Sequence, residues 1–345
     1  YAVVGAAVLA WSTVAGALLQ WLVQLPVQWK EGLGGFRPRF DFRRPEVQDV
    51  LKIMGPATFS SGMLQINVWT DMFFASFLPN AEAAVSAMGY AGLLAMTPLG
   101  ILSNMILVPL MPVFSRLADP ENWAELKQRI RQGLMMTAIA MLPLSALMMA
   151  LALPIVRVVY ERYAFDLEAS YLTASILVAY SVGMFVYLGR DVLVRVFYGL
   201  GDADTPFRIS IVNIFLNAVL DFFLIKPFGA PGLILATVGV NVVSMVVMLW
   251  ILNRRLNGLP LREWMTPIAG LAAASAIAGV TAWGTLRGLE SLWGNSGLLI
   301  LLAQLGIAGA AGLIIYIGLA LQLRLPEVTQ FGDRIRQKFG RGTGE

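Results

Sequence analysis

The sequence contains no cysteine and no histidine. Without cysteine there is no disulfide framework and no thiolate chemistry, and the redox compartment leaves no mark. Without histidine there is no imidazole base, proton relay or imidazole metal ligand. Charge is scarce too: Asp, Glu, Lys and Arg make up 13% of 345 residues. No GxxxxGK[ST] run occurs, so nothing cradles ATP phosphates. Transport by such a chain draws on an ion gradient, the membrane potential or a partner subunit. What is abundant is apolar: 58% of residues are hydrophobic and the mean hydropathy is +0.71. No soluble domain of this length has that composition, so the sequence predicts a polytopic membrane protein.

Apolar runs long enough to span a bilayer occur at about 3–25, 54–78, 83–112, 134–160, 170–198, 206–226, 230–252, 266–286 and 297–321. Each is near or above the roughly 20 residues a bilayer needs. The expected fold is all-α, a transmembrane bundle of about nine helices. Pro206, Pro231 and Pro267 are expected in first turns, where a missing N–H costs little. Pro98, Pro109 and Pro112 interrupt the third run, which is expected to bend. The chain starts at Tyr1, directly in an apolar run with no charged leader region. It is therefore expected to be a piece cut from inside a longer protein.

Orientation follows from the basic residues. Of 25 Lys and Arg, only Arg157, Arg162, Lys226 and Arg287 fall on one side. The others cluster in 30–52, 113–133, 190–208, 253–265 and 322–345, which predicts that this side, with the C-terminal tail, is cytoplasmic. If the complete chain also starts inside, an odd number of helices precedes Tyr1. Segment 30–52 sets Arg37, Arg39, Arg43 and Arg44 beside Phe36, Phe40 and Phe42. It reads as a basic, interface-lying linker. These charges hug membrane ends, so nucleic acid is not an expected partner, and no obligate protein partner is evident. The last two runs are rich in small residues, among them Gly270, Ala274, Gly279, Gly306, Gly309 and Gly312, which let helices approach closely.

Two acids lie deep in apolar helices. Asn67 and Asp71 are four apart and share a helix face; so do Asn213, Asn217 and Asp221. Asp71 is about 25 Å past the inner end of its run, Asp221 about 22 Å past Pro206, and Thr237 about 10 Å in from the outer end of the next. All three are expected in the outer half of the hydrocarbon. Carboxylate, amide and hydroxyl oxygens are hard ligands, and Na⁺ is the natural candidate for Asp71, Asn217, Asp221 and Thr237, with the Leu233 carbonyl added if its helix starts loosely. A proton-linked acid and a purely structural polar cluster are the alternatives, and Lys226 is within reach of Asp221. No other cofactor is expected. Asp191 and Arg195, four apart with the acid first, are expected to form a structural ion pair. Arg190 is then left to meet an anionic headgroup or to snorkel inward.

The run Tyr180–Pro206 ends in Phe197-Tyr198-x-Leu200-x-Asp202-x-x-Thr205-Pro206. This ending resembles the hallmark of the MurJ (MviN) lipid II flippases, of the MATE-like, polysaccharide-exporter group. Gln24-Leu25-Pro26, Met54-Gly55-Pro56-Ala57, Phe74 to Leu78, Leu107-Val108-Pro109 and Ala179 to Gly183 are similar to the family as well. The resemblance implies a C-terminal portion of a fourteen-helix flippase and no enzyme. Residues 1–53 would hold the last helix of a first lobe and a linker, 54–252 a second six-helix lobe, 253–321 two additional helices and 322–345 a cytoplasmic tail. It implies outward movement of lipid II, or a related undecaprenyl-linked sugar, by alternating access in the bacterial inner membrane, for peptidoglycan and cell-wall assembly. It also places Asp71, Asn217, Asp221 and Thr237 where family members can bind Na⁺. An O-antigen-type or MATE-type exporter of the same fold, or a non-transporting scaffold, are the alternatives. One departure is the uncharged run Tyr90–Pro98, where many members carry an Asp-Arg pair and a Glu.

Overall fold

A computed structural model describes residues 2–30, 48, 66–294 and 297–323. The chain divides into two compact units, 1–59 and 60–345. Within the first, α1 (Ala2–Lys30) is a single helix with Pro26 inside it. Most of the expected basic linker and nearly all of the tail lie outside the described residues.

In the second unit helix follows helix: α2 (66–75), α3 (Ala81–Arg116), a 3₁₀ turn at Pro120–Asn122, α4 (Trp123–Ala150), α5 (Ala152–Tyr160), α6 (Leu167–Gly199), α7 (Asp204–Phe228), α8 (Ala230–Arg255), α9 (Leu261–Trp293) and α10 (Leu298–Gln322). No strand occurs among the described residues. Seven of the described helices are long and apolar enough to cross a membrane, against nine spans expected: α3, α4 with its preceding 3₁₀ turn, and α6 to α10. The second expected span is described only from residue 66, and the first is α1. The expected span 134–160 is two helices, broken at Leu151 (φ −111°, ψ 16°). Pro154 explains the break, because it has no N–H for the carbonyl of Ala150. Pro267 also departs from expectation: α9 starts at Leu261, so this proline lies inside the helix rather than in its first turn.

The main core joins α3, α4, α6 and α8, with Phe114, Leu126, Ile130, Leu188, Leu193 and Phe197 fully buried. Gly199 ends α6 against α3: a Cβ there would lie 2.7 Å from Cβ of Phe114. The last two helices have their own seam. Met135 and Ala138 of α4 pack with Leu271, Ala274 and Ala278 of α9 and Tyr316 and Ala320 of α10. Tyr316 donates its hydroxyl to the Ile139 carbonyl at 2.9 Å. A Cβ on Gly312 would come 2.8 Å from the Ala278 carbonyl oxygen, and one on Gly279 3.1 Å from that of Ala146. Close backbone approach therefore accounts for these two glycines.

Candidate functional site

Helix α7 inverts the amphipathic rule of soluble proteins. Its buried residues are Pro206, Asn213, Asn217 and Asp221. Val212, Phe215, Val219, Phe222 and Phe223 are exposed. An apolar face turned outward and a polar face turned inward is the arrangement lipid imposes. The polar face needs partners because no water lies beside it in hydrocarbon.

Those partners come from α2 and α8. Asn217 donates from Nδ2 to Oδ1 of Asp71 and to Oδ2 of Asp221, both at 2.9 Å. Its own Oδ1 accepts from the Thr237 hydroxyl at 3.2 Å. One turn further along α8, Asn241 donates to the Thr237 carbonyl at 2.7 Å. One amide thus bridges two carboxylates 150 residues apart in sequence. Asp221 is fully buried, and its Oδ1 has no hydrogen-bond partner; neither has the buried Oδ1 of Asn67, one turn before Asp71.

Two carboxylates in such surroundings repel each other and lose their hydration, so a counter-charge is favoured strongly. No cluster of three or more Asp, Glu, His or Cys occurs among the described residues. The donor set is therefore two carboxylates, an amide and a hydroxyl, suited to a hard cation of low charge rather than a transition metal. The unpartnered Asp221 oxygen is where such an ion fits the residues present. A half-turn of the Asn217 amide would set its oxygen beside that ion. Leu233 is buried in α8, which is helical from Ala230. The loose helix start that would free its carbonyl does not occur.

Other expected residues fall differently. Lys226 lies with Nζ 5.1 Å from the Phe222 ring centroid and makes no ion pair with Asp221 among the described residues. The expected Asp191–Arg195 pair is replaced: Oδ1 of Asp191 pairs with NH1 of Arg190 at 3.5 Å. Arg190 is anchored across to α8, where its Nε donates to the Ser244 hydroxyl at 3.3 Å. That crossing contact brings the guanidinium beside the next residue's carboxylate, while Arg195 contributes only longer-range attraction.

A second polar joint had not been expected from the sequence. In the turn after α6, Asp202 accepts from the Thr205 N–H at 3.0 Å and its hydroxyl at 2.8 Å. Arg255, at the end of α8, donates from NH1 to the same carboxylate at 2.6 Å. Gly201, at φ +72°, supplies the left-handed step this turn needs. Burial tends to raise the Asp202 carboxyl; the Thr205 N–H and hydroxyl and the Arg255 guanidinium together outweigh it, holding the group below the usual aspartate range. The signal available in the sequence was the Arg254-Arg255 pair closing the α8 run opposite Asp202.

The family model and the curated relatives point to one family. The family model described as "Lipid II flippase MurJ" matches residues 1–304. The chain is 52% identical over 342 residues to the probable lipid II flippase MurJ of Synechocystis sp., covering 99% of this chain and 63% of that relative. It is 25% identical over 324 residues to the probable lipid II flippase MurJ of Bdellovibrio bacteriovorus, covering 93% and 60%. The chain therefore spans less than two thirds of the length of these relatives. A solved lipid II flippase MurJ in an inward closed conformation shares the fold at a TM-score of 0.65 and 20% identity, over 85% of this chain and 59% of that one.

Proposed function

The chain belongs to the MurJ family of lipid II flippases, and from that premise we propose that it forms the cation-binding part of a flippase for a lipid-linked peptidoglycan precursor. The substrate class is lipid II or a related undecaprenyl-linked sugar, moved across the bacterial inner membrane with no bond made or broken. Residues 54–252 act as one six-helix lobe, and 253–321 as two helices added to it. In support, α9 and α10 share a seam with α4 that is separate from the main core. The C-terminal end lies on the cytoplasmic side, as the distribution of Lys and Arg favours.

The observation that carries this reading is the bridge from Asp71 through Asn217 to Asp221, closed by Thr237. These residues hold Na⁺, which offsets one of the two carboxylate charges and draws α2, α7 and α8 together. Release of the ion leaves like charges facing each other and loosens the same helices. A lobe whose packing depends on ion occupancy can alternate between two access states. Arg190 serves the anionic headgroup. Ser244 fixes its Nε and Asp191 meets one NH group, while a guanidinium has five donors.

The test is complementation of a MurJ-depleted bacterium by the protein in its full natural length. Wild type should restore growth, and Asp71→Asn and Asp221→Asn should not, despite normal membrane levels. Failure of wild type to restore growth, or full activity of both variants, would overturn the assignment.

A further inference from the structure

Pro143 lies inside α4 and is buried. A proline within a helix has no N–H to give the carbonyl four residues back, here that of Ile139. A buried carbonyl without a donor is costly, and hydrocarbon holds no water to supply one. The donor comes from another helix. The Tyr316 hydroxyl of α10 donates to the Ile139 oxygen at 2.9 Å. Tyr316 is itself buried, in the seam that α10 shares with α4 and α9. A phenylalanine ring would fill that seam as well; the freed carbonyl is what calls for the hydroxyl.

The second interruption of this segment, at Leu151, is met by the same two helices. Leu151 is buried in a cluster with Ala282 and Leu286 of α9 and Ala308 of α10, and Leu305 packs against that cluster. A Cβ on Gly309 would stand 3.8 Å from Cδ1 of Leu151, and one on Gly312 2.6 Å from Cδ2 of Leu147. Leu305, Ala308, Gly309, Gly312 and Tyr316 form one stripe of α10, because steps of three and four share a helix face. As the stripe runs from 305 to 316, its contacts retreat from Leu151 through Leu147 to Ile139. One face of α10 thus crosses both gaps that proline leaves in α4 and α5.

We propose that α10 is a splint for the α4–α5 segment, in which Tyr316 is a positioning residue whose hydroxyl replaces the donor Pro143 lacks. A segment with two such gaps has lost backbone bonds that hold an ordinary helix straight. Its course is then set by what lies along it. Seated, α10 fixes the stretch beyond Pro143; unseated, it leaves α4 free to bend there. This gives the two added helices a task within the lobe, and it calls on neither the cation nor the cargo.

The test is a double-mutant cycle of Tyr316→Phe with Pro143→Ala, read by thermal melts of the purified protein at full natural length. Tyr316→Phe keeps the ring and strands the carbonyl, so the melting temperature should fall by a few degrees. Pro143→Ala returns a backbone N–H to α4. In that background the same loss of the hydroxyl should shift the melt by less than half as much. An equal cost in both backgrounds, or no cost in either, would overturn the proposal. If Pro143→Ala does not fold, the splint is read directly from spin labels at Gln128→Cys on α4 and Val159→Cys on α5, both exposed positions. The distribution of distances between the labels should broaden in Tyr316→Phe, and an unchanged width would overturn the proposal.

Discussion

Helices α6 and α7 are neighbours in sequence and both are apolar enough to span a membrane, yet they are held in opposite ways. α6 buries a broad face that includes Ile176, Met184, Leu188, Leu193 and Phe197, with Gly183, Gly189 and Gly199 at close approaches. α7 buries one proline and three polar residues. In lipid, apolar side chains gain little by leaving the solvent, so α6 is fixed by interlocking shape and α7 by hydrogen bonds. Shape does not change with ion concentration. A polar network built on two carboxylates is open to such change, and that is what the proposed cation site asks of α7.

The largest expected effect is on the α6 side. Leu188→Ala opens a cavity in a fully packed seam and should cost about 2–5 kcal/mol, read as a fall in melting temperature that is equal in NaCl and KCl. Next comes Asn217→Ala, which strips both carboxylates of their shared donor. It should cost about 1–3 kcal/mol and, unlike the first variant, should change the difference between the two salts. An equal salt response in both variants would erase the distinction between the helices.

Much of the α7 side was legible beforehand, because Asn213, Asn217 and Asp221 recur at one spacing and buried acids in apolar helices need partners. The depth of Asp71 gave its neighbourhood. What stayed hidden depends on atoms rather than spacing. Asp191 faces Arg190 because Ser244, 54 residues on, anchors that guanidinium. Leu233 gives up no carbonyl because α8 is already helical there. The break at Leu151 was within reach, since Pro154 announces it.

A smaller effect is expected where the turn between α6 and α7 meets the end of α8. Asp202 titrates below the ordinary aspartate range in the folded state. Its contribution is thus fully present above the ordinary aspartate pKa and fades as pH falls through the lower, folded value. Asp202→Asn should lose up to about 1 kcal/mol at neutral pH, given the partial exposure of Arg255, and the gap to wild type should close in acid. A gap that is constant with pH would remove the Asp202–Arg255 joint from the account. Smallest of all is Val219→Ala on the exposed face of α7, expected within about 0.5 kcal/mol of wild type. A larger loss in the melt would mean that this face is covered rather than turned to lipid.

The central claim is that a cation at Asp71 and Asp221 holds α7 in place. Its most direct test compares thermal melts of wild type and Asp221→Asn, at full natural length, in NaCl and in KCl at matched ionic strength and at a pH where free carboxylates are ionised. Binding to the folded state adds RT ln(1 + [Na⁺]/Kd), about 2.7 kcal/mol at a hundredfold excess over Kd. Wild type should melt several degrees higher in NaCl, and Asp221→Asn should melt alike in both salts. Equal wild-type melting temperatures in the two salts would contradict the claim.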